Sequence, residues 1–200
     1  MSPMMLSHRL ATAADTQPIA ALMELTHRLA TAADTLTIAA LMDRAIAELQ
    51  RPFLNAQQIA ASRLSMGLDT QLIADGTYFA IIDGDELVGC GGWSKRATLY
   101  GGNHSAEFRD DRLLDPAREP ARIRAMYTDP AHVRRGIGRL ILALCEEAAR
   151  DAGFQRLELM ATAAGEPLYT ACGYHVIERV ERMSAEGIAV PGAVMGKALD

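Results

Sequence analysis

Apolar positions recur along this chain with two periods, and the change of period marks its elements. Thr77 to Ile82 (TYFAII) is dense in β-branched and aromatic residues, and Asp83-Gly84-Asp85 is a turn signal. Glu86 to Trp93 (ELVGCGGW) then returns, so the pattern predicts a β-hairpin. From Gly136 to Ala152 the period is helical. Leu140, Ile141, Leu144, Cys145 and Ala148 share one face, Glu146, Glu147, Arg150 and Asp151 the other, and Gly153 closes the helix. Arg122 to Thr128 (RIRAMYT) reads as a strand stopped by Asp129-Pro130. Gln155 to Met160, His175 to Val180 and Val190 to Leu199 read as later strands. Pro167 to Cys172 reads as a short helix ending at Gly173. Asn55 is a helix N-cap, opening Ala56 to Met66, which Gly67 ends. Residues 97–121 carry Gly, Asn, Asp and Pro with little periodicity. They predict a long excursion of the kind that often forms a functional lid.

The N-terminal region contains a tandem duplication. Residues 8–26 and 27–45 share H-R-L-A-T-A-A-D-T and then I-A-A-L-M. Nothing downstream repeats the unit, so it is no solenoid. Each copy predicts a short strand (Arg-Leu-Ala-Thr), an Asp N-cap and a helix. In the second copy Asp34 is the cap, and Ile38, Leu41, Met42, Ala45 and Leu49 form the apolar stripe. The first copy is cut short at its far end and carries Pro18 where the second has Thr37, and Pro fits only a helix's first turn. The expected organisation is therefore an appendage over residues 1–26 and one domain over 27–200. Strands at both ends with helices between them give an α/β or α+β sheet domain.

The chain has 200 residues, enough for one full core, and 22% of them are charged. A formal net charge of -5 excludes a basic sheath for nucleic acid and suits an amine substrate. Cys90, Cys145 and Cys172 form no C-x-x-C spacing, and the five histidines form no ligand pair, so no disulfide framework and no metal are expected. No stretch approaches the ~20 apolar residues of a membrane span. Met1 to Asp15 lacks the apolar core of a signal peptide, so the expected location is the cytoplasm.

The segment from Arg122 to Arg139 carries the chemistry. A strand ends at Asp129-Pro130, and Arg134-Arg135-Gly136-Ile137-Gly138-Arg139 opens the long helix. Backbone N–H groups at a helix start have no internal acceptor, and glycines let a ligand reach them. Arginines there oppose the helix dipole unless an anion is bound, which points to an anion site suited to a pyrophosphate. No Lys-Ser or Lys-Thr follows the glycines, so this is not a Walker loop. G-x-G-x-x-G is incomplete at Ile141, so it is not a dinucleotide fingerprint.

V-R-R-G-I-G-R at this place resembles the coenzyme A pyrophosphate loop of the GNAT N-acetyltransferase superfamily. D-G-D-E-L-V-G-C-G-G-W, L-E-L-M-A-T and P-L-Y-T-A-C-G-Y fall in the order expected of its central hairpin, fifth strand and following helix. The resemblance covers about residues 27–199. Two departures are Val133, where the family often has Gln or Arg, and Ala163-Ala164-Gly165, where many members carry an Asn that touches the cofactor. The resemblance implies a mixed, mostly antiparallel sheet of about seven strands with a splayed parallel pair and about four helices. It implies that the backbone of Met126, Tyr127 and Thr128 holds the pantetheine arm, and that Val133, Arg134, Arg135, Gly136, Ile137, Gly138 and Arg139 hold the pyrophosphate of acetyl-CoA. It makes Tyr169 the acid that protonates the departing thiolate, the other reading being a tyrosine packed on the sheet. Glu158 aligns with a glutamate that serves some members as base, with a solvated carboxylate as the alternative. Glu107, Asp110, Asp111 and Glu166 could bind a cationic substrate or simply face water. Cys172 reads as a small core residue rather than a nucleophile.

The expected function is direct transfer of an acetyl group from acetyl-CoA to a primary amine in a ternary complex. Rival readings are a non-catalytic acyl-CoA sensor, which has no need of Tyr169, and an acyltransferase for a longer acyl chain. The amine acceptor is unreadable from sequence. Dimerisation is common for such folds, and no motif here specifies it.

Overall fold

The computed structural model of the chain describes residues 25–184 and 186–199. The first copy of the duplication lies outside these residues except for its last two, and with it the expected appendage.

Seven strands form one sheet: β1 (Leu25–Leu29), β2 (Tyr78–Asp83), β3 (Glu86–Ser94), β4 (Ala121–Thr128), β5 (Arg156–Thr162), β6 (His175–Met183) and β7 (Ala189–Ala198). Their order is β1-β2-β3-β4-β5-β7-β6, and only β4 and β5 are parallel. Five helices surround them: α1 (Thr35–Leu49), α2 (Ala56–Ser62), α3 (Thr70–Ala74), α4 (Ile137–Asp151) and α5 (Glu166–Ala171). This is the architecture that the sequence resemblance implies, with one more short helix. Asp69 starts that extra helix, its carboxylate accepting from Gln71 N at 3.0 Å.

The two long helices cover opposite faces of the sheet. α4 buries Ile137, Ile141, Leu142, Cys145 and Ala149 against Val88, Ile123, Leu157, Leu159 and Ala161. α1 buries Ile38, Leu41, Met42, Ala45 and Ile46 against Tyr78, Ala80, Leu87 and Cys90. Each such side chain contributes about 1.5–3 kcal/mol by leaving water. β3 lies beneath both helices, and all its residues after Glu86 are buried. The buried centre of α4 is rotated from the predicted stripe, so Leu140, Leu144 and Ala148 sit at its margin rather than its middle.

Several boundaries differ from expectation. β1 begins at Leu25 and ends at Leu29, earlier than Arg28 to Thr31. Asp34 does not cap α1 with its side chain. It belongs to a 3-10 turn, Ala32–Asp34, and reaches back to accept from Thr31 N and from Arg28 Nη2, both at 2.7 Å. That turn takes the chain out of the sheet after Ala30, whose N still donates to Tyr78 O at 2.8 Å. α2 starts at its predicted cap, with Asn55 Oδ1 accepting from Gln58 N at 2.9 Å, but ends at Ser62 instead of Met66. There Ser62 Oγ donates to Ile59 O, the self-bonding that weakens a helix. The excursion between β3 and β4 is tied at its base by an Arg96–Leu113 bridge and by Arg96 on Asp75 at 2.7 Å.

Candidate active site

β4 and β5 pair only over Ala121↔Leu157, Arg122↔Glu158 and Ile123↔Leu159. Beyond Ile123 they separate. The cause sits on the other side of β4, where its register with β3 shifts between Cys90 and Gly92 and Ala125 takes φ 51°. A non-glycine residue in that region is strained and persists where its surroundings hold it. Tyr78, fully buried beneath, donates its hydroxyl to Ala125 O at 2.6 Å. Gly91 leaves room for the bulge, since a Cβ there would lie 2.7 Å from Met126 Cγ and 2.6 Å from Ile141 Cγ2.

A cleft of about 710 Å³ opens where the strands part. One end is the start of α4. Gly136 takes φ 83° and Arg134 φ 65°, and this left-handed pair turns the chain so that successive amides face outward. Leu140 N is the first to bond back, to Gly136 O at 3.0 Å. The amides of Arg134 to Arg139 find no acceptor among the described residues. Gly138 is packed against α5, where a Cβ would meet Leu168 Cδ2 at 2.6 Å. The loop is anchored from behind. Arg135 Nη1 pairs with Asp83 at 2.6 Å, and Asp129, whose carboxylate accepts from Ala131 N, pairs with Arg44 at 2.6 Å.

Midway along the cleft stands Tyr169 of α5. Its hydroxyl lies 4.0 Å from Met126 Sδ, and its ring packs edge-on to Tyr174. Burial pushes its phenol well above the ordinary tyrosine value, so it stays protonated at neutral pH. At the far end are the C-terminal turns of α1, the segment around Met66, Leu99 to Gly101 of the excursion, and Arg182 of β6. Tyr127 lies between, its hydroxyl accepting from Gly67 N at 3.2 Å.

Residues 42–174 match the model of the Acetyltransferase (GNAT) family. The chain belongs to the GNAT family. The uncharacterized N-acetyltransferase YsnE of Bacillus subtilis (strain 168) is 27% identical over an alignment of 119 residues that covers 57% of this chain and 66% of YsnE. Three solved structures are similar in fold. A GCN5-related N-acetyltransferase of Rhodopseudomonas palustris superposes with a TM-score of 0.64 at 17% identity, over 87% of this chain and 95% of its own. The yncA protein of Salmonella typhimurium, solved with its cofactor acetyl-CoA, gives 0.59 at 18% identity over 88% and 95%. The PaiA N-acetyltransferase of Thermoplasma acidophilum, solved with coenzyme A, gives 0.58 at 11% identity over 87% and 98%.

Against this GNAT frame the expected site residues divide. Met126, Tyr127, Thr128, Val133, Arg134, Gly136, Ile137, Gly138, Arg139 and Tyr169 all line one cleft. Arg135 belongs to the loop, but its side chain is turned away to Asp83. Glu158 does not line the cleft. It sits on β5 before the strands separate, and its carboxylate is ion-paired with Arg122, its neighbour in the parallel register. Glu166 is likewise held outside the cleft, by Arg179. Ala125, Tyr78 and Arg182 carried no expectation. The signal for Arg182 was faint: it lies two residues after Val180, in phase with the inward face of β6.

Proposed function

We propose that this GNAT protein transfers the acetyl group of acetyl-CoA to a primary amine. The observation that carries the reading is the row of unbonded amides from Arg134 to Arg139, which opens into a cleft leading past Tyr169. Those amides and the two left-handed residues fit a pyrophosphate. The unpaired edge of β4 beyond Ile123 offers Met126 to Thr128 to an extended pantetheine arm.

Acetyl-CoA supplies an activated acyl carbon. As the amine nitrogen bonds to that carbon, the carbon–sulfur bond breaks, and the phenol of Tyr169 gives its proton to the sulfur. The proton released by the amine balances the one Tyr169 has lost. The amine must arrive neutral. Among the described residues no Asp, Glu or His lines the cleft, whereas Arg124, Arg134, Arg139 and Arg182 do. Arg134 and Arg139 belong to the pyrophosphate end and Arg124 is paired with Asp69, so the charge that acts on the acceptor is that of Arg182, which disfavours an ammonium ion beside it. Glu158, held by Arg122, has no place in this scheme.

A cytoplasmic setting is part of the proposal. It rests on the sequence, whose three cysteines are odd in number and form no C-x-x-C spacing. The test is a thermal melt with acetyl-CoA, coenzyme A and longer acyl-CoAs, followed by thiol release with amines. Stabilisation by coenzyme A compounds together with amine-dependent release is expected. Stabilisation without release for any amine favours a sensor, and the absence of stabilisation removes the reading.

A further inference from the structure

The far end of the cleft contains a cation without an anion. Arg182 is largely buried on β6, and its Nη1 donates to Ser65 Oγ at 2.6 Å. Its guanidinium lies 5.1 Å from the centre of the Tyr100 ring. Its Nε is buried with no hydrogen-bond partner. Among the described residues no carboxylate pairs with it, and burial pulls its pKa below the ordinary arginine value. The other arginine at this end differs: Arg124 is paired with the fully buried Asp69 at 2.7 Å and also donates to Gly101 O. A desolvated, unpaired guanidinium is costly unless something neutralises it.

A second orphan stands beside the first. Gln50, at the end of α1, is buried, and its Oε1 accepts no hydrogen bond. Its Nε2 is 3.3 Å from Met66 Sδ, so Gln50 and Arg182 grip adjacent residues, Ser65 and Met66, of one turn. Both line the cleft. One wants an anionic acceptor and the other an N–H donor. Ala45, Ile46, Leu49 and Leu99 supply an apolar wall beside them.

We infer that the acceptor amine carries a carboxylate, as a free amino acid does, and that Arg182 binds that carboxylate while Gln50 accepts from the amine. This rests on the transferase reading above and narrows its substrate. The N–H bond to Gln50 leaves the nitrogen lone pair free to face the acyl carbon. A polycation is disfavoured at this end of the cleft, where Arg182 lines the wall without a carboxylate partner and, among the described residues, no acidic side chain does. The overall charge of -5 is therefore misleading about the substrate. Carboxylates such as Glu107, Asp110 and Asp111 lie outside the cleft lining.

The test measures acetyl-CoA-dependent thiol release with the standard protein amino acids, each paired with its carboxamide, and with spermidine. Acids with apolar side chains should exceed their amides in kcat/KM by about tenfold to a hundredfold, the worth of one charge-assisted contact. In Arg182→Met that preference should collapse toward parity through a raised KM for the acids, while acetyl-CoA still raises the melting temperature. Arg182→Lys should retain part of it. Amides or spermidine matching the acids in the wild-type protein overturn the inference, whether or not the variants fold. So does a panel in which no amino acid is acetylated although acetyl-CoA binds. A wild-type protein that acetyl-CoA fails to stabilise overturns the transferase reading itself.

Discussion

The hydroxyl of Tyr78 holds the carbonyl of Ala125 at 2.6 Å, and through that contact the α1 side of the sheet fixes the shape of the cleft on β4. Ala125 is in a strained conformation, and the bond from Tyr78 is what the bulge gains in exchange. Tyr78→Phe removes the donor and leaves a carbonyl poorly satisfied. A loss of about 1–3 kcal/mol in a denaturant melt is expected, with weaker acetyl-CoA stabilisation as β4 relaxes. A variant of unchanged stability and binding would show that the bulge is held by packing alone.

Tyr169→Phe isolates the proton donor. Among the described residues its hydroxyl has Met126 Sδ, at 4.0 Å, as its one hydrogen-bond partner, so removing it disturbs no strong hydrogen bond. kcat is expected to fall by about 10²–10⁴-fold with acetyl-CoA affinity retained. Unchanged turnover on an accepted amine would mean that the thiolate takes its proton from elsewhere, with water the next candidate.

Gly138→Asp places both bulk and negative charge on the amide row. Its Cβ would press on Leu168, a flexible side chain, so a stability loss of about 1–3 kcal/mol is expected with the fold intact by circular dichroism. The rise in melting temperature given by acetyl-CoA should disappear. Normal binding in this variant would move the anion site off the start of α4.

Acid should loosen the base of the excursion. The Arg96 guanidinium, hydrogen-bonded to Asp75, holds that carboxyl below its ordinary value, with a further bond from Gln71. A depressed folded-state pKa contributes stability above the unfolded value of about 3.9 and loses it as pH falls through the folded one. Wild type and Asp75→Asn should therefore differ in denaturant midpoint at neutral pH, by up to about 1 kcal/mol, and converge in acid. A gap that persists at low pH would assign the effect to packing rather than charge.

The duplication invites a deletion. Removing residues 8–26 joins Ser7 to His27 and takes Leu25 and Thr26 from β1, where they pair with Asp83 and Ile82. The shortened chain offers Leu6 and Ser7 in their place, apolar for apolar and hydroxyl for hydroxyl. It should fold, melt slightly lower and still respond to acetyl-CoA. Deleting residues 27–45 instead should also leave a folded chain, because Pro18 then takes the place of Thr37 in the first turn of α1, where proline is tolerated. Failure to fold in the first deletion alone would make the first copy the integral one.

Much of this protein is written locally. The hairpin of β2 and β3, the helix α4 and its glycine-rich start follow from period and turn chemistry within a dozen residues. So do the placement of Tyr169 after β5 and the seven-stranded count. Sequence by itself also set the amide row, because a helix start exposes its N–H groups whatever packs around it. The tertiary structure alone decided the rest. The bulge at Ala125 depends on a tyrosine 47 residues away, and no local preference predicts φ 51° for an alanine. Glu158 left the cleft because parallel register set it beside Arg122. Arg182 entered the cleft because β6 runs at the sheet edge next to β7 and aims one face at the turn carrying Ser65. Charge balance in a cleft is a sum over side chains drawn from distant segments. A net charge of -5 for the whole chain therefore coexists with a cleft lined, among its described charged residues, by arginine alone.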